Sequence, residues 1–249
     1  MMNKSFKLNV LSGNVLKIIA LISMVIDHVG YLLFPEVEVL RIIGRISFPI
    51  FAFMIAEGCY YTKNKWRYFI NVFSLALLCQ IVYFFFSGEK VLFSLICFSV
   101  SIPLIYLLEY LKRVVFEEKE NVSKKIFICL AFILAVIGVY LLDSILIIEF
   151  GFWGCILPVF ASLFRFKDQS VPASLKKFDN MYVHLFLFSI GVFLLSINAQ
   201  VSKYFALLSL PFLFLYSGKR GKYNIKYFFY LFYPLHFLVI QAIYMIWFN

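Results

Sequence analysis

The sequence predicts an all-α fold: a polytopic integral membrane helix bundle of about nine transmembrane helices, within a range of eight to ten, with the N-terminus inside. Three observations predict it. Of 249 residues, 63% are hydrophobic and 14% charged, with a mean hydropathy of +0.93, where a soluble domain is about half apolar and about a quarter charged. The apolar residues fall in runs of about 20, the length that crosses a bilayer as a helix. The lysines and arginines sit between those runs, concentrated in alternate connections. A soluble globular protein is excluded. So is a sizeable disordered tail or linker, given 32 Phe and 16 Tyr. One domain, 1–249, is expected.

Breaks at charge clusters and at Gly and Pro give the helices in order. The first, 14–34, follows Lys4 and Lys7 as a signal sequence would, but it contains Asp27 and His28 and no small-residue cleavage site follows, so it reads as a retained span. The second, 38–58, ends at Glu57-Gly58, and the third, 66–87, follows the basic strip Lys63, Lys65 and Arg67. Next come 91–111, closed by Lys112-Arg113, and 124–142, closed by Asp143. The segments 145–164, 182–199 and 202–217 have short connections, and one of them could be re-entrant, which sets the range of eight to ten. The last is 226–247. With the N-terminus inside, the inner connections hold 19 of the 23 basic residues and only Arg41, Arg45, Lys90 and Lys203 fall outside. That asymmetry accounts for the net charge of +10, so no nucleic-acid partner is expected. The five cysteines stand singly, without metal-ligand spacing, and read as small core residues; no metal is expected.

Ionisable residues inside a span cost about 2.5–3.5 kcal/mol each at the helix centre, so they mark candidate sites. Asp27 and His28 lie in the first span, Arg41, Arg45 and Glu57 in the second, and His236 in the last. Glu109, Asp143, Glu149 and His184 fall near predicted ends and read as interfacial. Lys17 and His28 are eleven residues apart, which returns to within about 20° of one helix face with about 16 Å between them, placing Lys17 where a phosphate or anionic headgroup could meet it. Asp27 is expected to face Arg45 at the same depth. Asp27 and His28 serve either as a site or, on the plainer reading, as structural glue that hydrogen-bonds to Arg45 and other helices. Pro49 is expected to kink the second helix near the buried guanidinium. Glu57 reads as a cap on the inner end, and Lys63, Lys65 and Arg67 as an interfacial anchor or a dock for a phosphorylated cofactor. Tyr233 and His236 share a face loosened by Pro234. Gln80, Tyr83 and Asn198 could complete a polar interior.

The stretches LKIIALISMVIDHVG, GRISFPIFAFMIAEG with the Tyr-Tyr-Thr and basic run after it, EFGFWG, and SGKRG leading to YFFYLFYPLH resemble the TraX family, named for a membrane protein that acetylates the N-terminus of conjugative F-type pilin. The likeness runs from residue 16 to about 238. Glu149-Phe150-Gly151 departs from the family's more usual Asp-Tyr-Gly. The basic-x10-His spacing of Lys17 and His28 is also similar to a pattern in membrane acyltransferases. The resemblance implies acetyl transfer from acetyl-CoA to an amine or hydroxyl, on a peptide or glycan acceptor, in the inner membrane. It implies His28 as general base or acyl acceptor with Asp27, Arg45 and His236 around it, and donor binding by Lys17, Lys63, Lys65, Arg67 and Tyr233. The pilin substrate itself does not follow. Two rivals stand beside it: a proton-coupled transporter, against which the lack of internal repeats speaks, and a membrane scaffold or assembly factor, against which the intramembrane charge speaks.

Overall fold

The computed structural model describes residues 10–87, 91–117, 121–167, 171–198, 201–223 and 225–248. Lys4, Lys7, Lys90 and Lys119, four of the positives that set the expected orientation, lie outside the described residues. The described residues form helices and connections, with two isolated bridges and no strand. In order they are α1 (Gly13–Leu32), α2 (Glu38–Gly44), α3 (Ser47–Tyr61), α4 (Lys65–Ser87), α5 (Ser94–Phe116), α6 (Val122–Ile145), α7 (Gly151–Ser162), the short α8 (Ala173–Lys176), α9 (Met181–Ile197), a 3-10 helix (Val201–Ser209) running into α10 (Leu210–Phe214), and α11 (Lys226–Phe248).

Among the described residues, six helical stretches are long and apolar enough to cross a membrane, α2 and α3 together making one of them. The three least regular of the nine predicted segments coincide with three shorter apolar helices, Gly151–Ser162, Met181–Ile197 and Tyr204–Phe214. The sequence placed the kink of the second segment at Pro49, and the structure corrects this. The helix breaks at Arg45–Ile46, and Pro49 sits in the first turn of α3, where its missing amide has no carbonyl to serve.

The residue just before the helix caps it with its side chain at Ser12 for α1, Asn64 for α4, Asn121 for α6 and Asn180 for α9. Two connections are tied by short parallel bridges. Leu92 donates to the carbonyl of Ile147 (2.8 Å) and receives the amide of Glu149 (3.0 Å), while Leu11 accepts from Ser217 (2.8 Å). Such pairing satisfies backbone groups that a low-dielectric surround would leave costly.

Burial ranks the helices. In the membrane-length stretches of α2–α3 and α5, 56% and 50% of residues are buried, against 17% for α4 and 11% for α6, so the first pair forms the centre and the second the lipid-facing rim. Phe53 of α3 meets Phe188 of α9 edge-on with 5.2 Å between ring centres, and Ile102, Leu157 and Leu185 fill the space around them. Gly191 permits the close approach of α9 to α7: a Cβ there would stand 2.9 Å from Leu157 Cδ1 and 3.0 Å from the Phe160 ring.

Candidate functional site

Two polar clusters lie at different levels of the bundle. The first gathers residues of α1, α2, α11 and the segment before α7. Asp27 of α1 forms an ion pair with Arg41 (2.9 Å) and a longer one with Arg45 (3.9 Å), both reaching back from the second span. Arg41 also donates to the Asp27 carbonyl at 3.2 Å. The approach requires Gly44, where a Cβ would lie 2.2 Å from Asp27 Oδ1. Asp27 Oδ1 and Arg45 Nε are buried without a hydrogen-bond partner among the described residues.

One residue further along α1, His28 turns to α11. Its Nδ1 lies 3.0 Å from His236 Nε2, and His236 Nδ1 lies 3.0 Å from the carbonyl of Phe232. Those two contacts fix both tautomers. A carbonyl only accepts, so His236 Nδ1 carries the proton and, in the neutral ring, its Nε2 is an acceptor. His28 Nδ1 must then donate, which leaves the lone pair of His28 on Nε2. The ring is held in place by Phe93, stacked at 6.1 Å, and Phe237, edge-on at 5.8 Å. Of the residues the resemblance sets around His28, the structure pairs the ring with His236 and turns Asp27 to the arginines, because adjacent helix positions point about 100° apart.

His28, Asp27 and Arg45 line a cavity of about 40 Å³, together with Ser47, Ser94, Glu149 and Tyr233 and walls of phenylalanine. By the criterion that about 10–15 Å³ of such space holds one water, it takes a few waters or a small acyl group. Glu149 accepts from the backbone amide of Ser94 at 2.9 Å and so caps the start of α5 while facing the cavity. It is a site residue that sequence reasoning had set aside as interfacial. Tyr233 lies edge-on to His236 at 6.2 Å.

The second cluster closes the other end of the bundle. Glu57, buried in α3, accepts from Arg165 and from the hydroxyl of Tyr216 (2.9 Å), which corrects its expected role as an end cap. Arg165 also stacks over Tyr60 at 4.0 Å. Burial alone would pull the Arg165 guanidinium down, but the Glu57 carboxylate outweighs it and holds the group above its ordinary value. Lys112 caps the end of α7 by donating to the carbonyls of Ser162 (2.8 Å) and Arg165 (2.7 Å). Glu109 takes Lys65 (2.7 Å) and Lys167 (3.1 Å). A cavity of about 450 Å³ opens beside these residues.

The structure therefore brings Asp27, His28, Arg45, Tyr233 and His236 together, so that of the residues expected to hold a donor only Tyr233 joins them, and Lys17, Lys63, Lys65 and Arg67 line no part of that cavity. Lys17 lies in the electrostatic range of Glu57 and Arg220. Lys65 lines the larger cavity, but Lys63 and Arg67 are exposed and do not. Arg113, Arg165 and Lys167 line it in their place; in the sequence they looked like ordinary inner-side positives. Gln80 holds the turn into α5, donating to Val91 (3.1 Å) and accepting from Phe93 (2.7 Å), while Tyr83 packs on Phe93 and Phe237. Asn198 is exposed at the end of α9 and joins no polar interior.

Six long apolar helices with ionisable groups buried at two levels define a multi-pass membrane protein of the helical kind. The chain matches the TraX protein family over residues 12–244, and it belongs to that family. It is similar to the uncharacterized protein RP591 of Rickettsia prowazekii (strain Madrid E), 38% identical over 82 residues, 33% of each chain. It is also similar to the probable fimbrial assembly protein FimC, serogroup H1, of Dichelobacter nodosus, 31% identical over 72 residues, 27% of this chain and 30% of that one. The chain spans about a third of the length of these curated relatives. No solved structure matches.

Proposed function

We propose that the protein is an inner-membrane acyltransferase that moves an acetyl group from acetyl-CoA to an amine or hydroxyl of an envelope or exported peptide or glycan. The observation that carries this reading is the His28–His236 pair, fixed in one tautomer beside a small cavity that also holds a buried arginine. TraX membership supports it, and the fimbrial name of one relative suits an acceptor among envelope proteins.

In this reading His28 Nε2 takes the proton from the acceptor as its nitrogen or oxygen attacks the thioester carbonyl carbon. The new C–N or C–O bond forms while the carbonyl π electrons pass to oxygen. Arg45, whose Nε–H has no other partner among the described residues, stabilises that oxyanion in a low-dielectric site. Collapse breaks the C–S bond, and the leaving thiolate takes the proton held by His28. In the alternative order, Nε2 attacks the thioester first and the C–S bond breaks to release the thiolate; the acceptor then attacks the acyl-histidine, the N–acyl bond breaks, and the acceptor's proton passes to the thiolate. His236 is a positioning residue that holds His28 in the reactive tautomer, and Asp27 offsets the two arginines. The same reading has nine crossings with the N-terminus inside. In its favour, α7, α9 and the Val201–Phe214 segment each run between the two levels of polar residues, and the Lys- and Arg-rich end faces inward under the positive-inside rule.

The test is single-turnover transfer from radiolabelled acetyl-CoA by the purified protein, with calorimetric binding of acetyl-CoA alongside. Wild type should bind and transfer; His28→Ala should bind, remain folded and transfer about 10²–10⁴-fold more slowly. Transfer by His28→Ala at close to the wild-type rate overturns the role of that histidine. Absence of binding at near-millimolar acetyl-CoA overturns the acyl-CoA reading. A proton-coupled transporter, which would use the same buried groups as a relay, predicts flux in vesicles without acetyl-CoA.

A further inference from the structure

The larger cavity at the Glu57 end has a volume of about 450 Å³, within the range of about 300–1,000 Å³ for small-molecule sites. Lys65 from α4, Lys112 and Arg113 from α5, and Arg165 and Lys167 from beyond α7 converge on it. Three carboxylates stand near them, and each is engaged. Glu57 holds Arg165, Glu109 is shared by Lys65 and Lys167, and Asp179 takes the Phe166 amide (3.0 Å) and His184 (3.1 Å). Among the described residues, the five cations lining the cavity meet three engaged carboxylates, which leaves two positive charges over. Among the same residues Arg113 rests on a ring, its guanidinium 5.0 Å above Tyr110.

Topology alone does not require this arrangement. Positive-inside residues need only lie on the inner side, whereas these come from three separate elements into one concavity, where their mutual repulsion is destabilising unless an anion offsets it. Ring faces accompany the charge: Tyr110 and Phe166 line the cavity, and Lys112 Nζ sits 5.3 Å over the Phe166 ring. Cations next to aromatic faces suit phosphoryl groups attached to a planar base.

We propose that this cavity binds the phosphoryl groups of a phosphate-bearing ligand, with Arg113 and Lys167 as principal contacts and room for a nucleotide. On the acyl-transfer reading the ligand is the phosphorylated end of the donor, and only its identity rests on that reading. A phospholipid headgroup offers the same chemistry from a second source.

The experiment is calorimetric titration of the full chain in detergent with 3′,5′-ADP, and in a second arm with phosphatidylglycerol in mixed micelles. Wild type is compared with Arg113→Ala, Lys167→Ala, and Lys222→Ala, a cation outside the cavity. Arg113 and Lys167 are exposed, so these variants keep the fold, which their elution profile checks. Saturable 3′,5′-ADP binding is expected, weakened about tenfold or more by either cavity substitution and unchanged by Lys222→Ala and by His28→Ala. Binding of phosphatidylglycerol alone, lost in the same variants, keeps the phosphoryl site and overturns its nucleotide. Binding of neither, or binding indifferent to Arg113 and Lys167, overturns the site. If 3′,5′-ADP binds as expected while acetyl transfer fails, the acyl-transfer reading falls and this site stands.

Discussion

Replacing Glu57 by glutamine tests whether the inner polar cluster holds the bundle together. Glu57 is 5% exposed, and its two oxygens accept from Arg165 and Tyr216. Glutamine keeps the shape but removes the charge opposite Arg165, itself only 9% exposed, and turns an amide NH₂ towards one of the two donors. Breaking a buried pair from one side costs about 3–5 kcal/mol, because the surviving charge stays where it is. At about 2–4 °C per kcal/mol for a chain of this size, Tm should fall on the order of 10 °C. The assay is thermal unfolding of the purified variants in one detergent, followed by intrinsic fluorescence. Arg165→Met alone should also destabilise, and the double variant should recover a coupling of about 1–3 kcal/mol. A Tm for Glu57→Gln within about 2 °C of wild type, or strictly additive losses in the double variant, would refute the reasoning.

His236→Phe removes the acceptor for His28 Nδ1–H and should slow single-turnover acetyl transfer about 10- to 100-fold; His28→Ala should lose the full contribution of a general base, about 10²–10⁴-fold. His236→Gln, which restores an acceptor, should recover part of the rate, as a purely structural role for the ring would not. Gly44→Ala should both lower Tm and abolish transfer, since its Cβ would overlap Asp27, whereas Gly138→Ala, which meets open space on α6, should leave transfer unchanged. Lys112→Met removes two charged hydrogen bonds from the end of α7 and should speed amide hydrogen exchange after Ser162 while α3 and α5 keep their protection.

Depth along the membrane normal is a one-dimensional quantity, and the sequence carried it well. Runs of apolar residues marked the six membrane-length stretches among the described residues, and equal depth was enough to set Asp27 against Arg45, although its shorter ion pair is with Arg41. Which helices stand side by side is not one-dimensional. His28 and His236 were each singled out, but their contact joins positions 208 residues apart, and no local pattern states that α1 packs on α11. The same limit hid the second cluster. Glu57 and Arg165 look like ordinary residues at helix ends, and only the meeting of α3 with the end of α7 turns them into a buried pair. Lys63 and Arg67 were the more conspicuous basic strip, but Lys63 before α4 and Arg67 in its first turn are both exposed, and the cavity is lined by Arg113 and Lys167 from elsewhere.

The unequal lengths of the helices bear on the surrounding lipid. At 1.5 Å per residue, α9 with 17 residues rises about 26 Å, while α6 with 24 rises about 36 Å. On the nine-pass topology one flank of the bundle matches a full hydrocarbon layer of about 30 Å and the other falls short. Hydrophobic mismatch of this sign draws the headgroups inward along the short flank, at a fraction of a kcal/mol per ångström. On that topology the bilayer would be dimpled beside α9 and α10, and, on the proposed acyl-transfer reading, a polar acceptor approaching from that side would cross less hydrocarbon to reach the buried histidines than it would past α6.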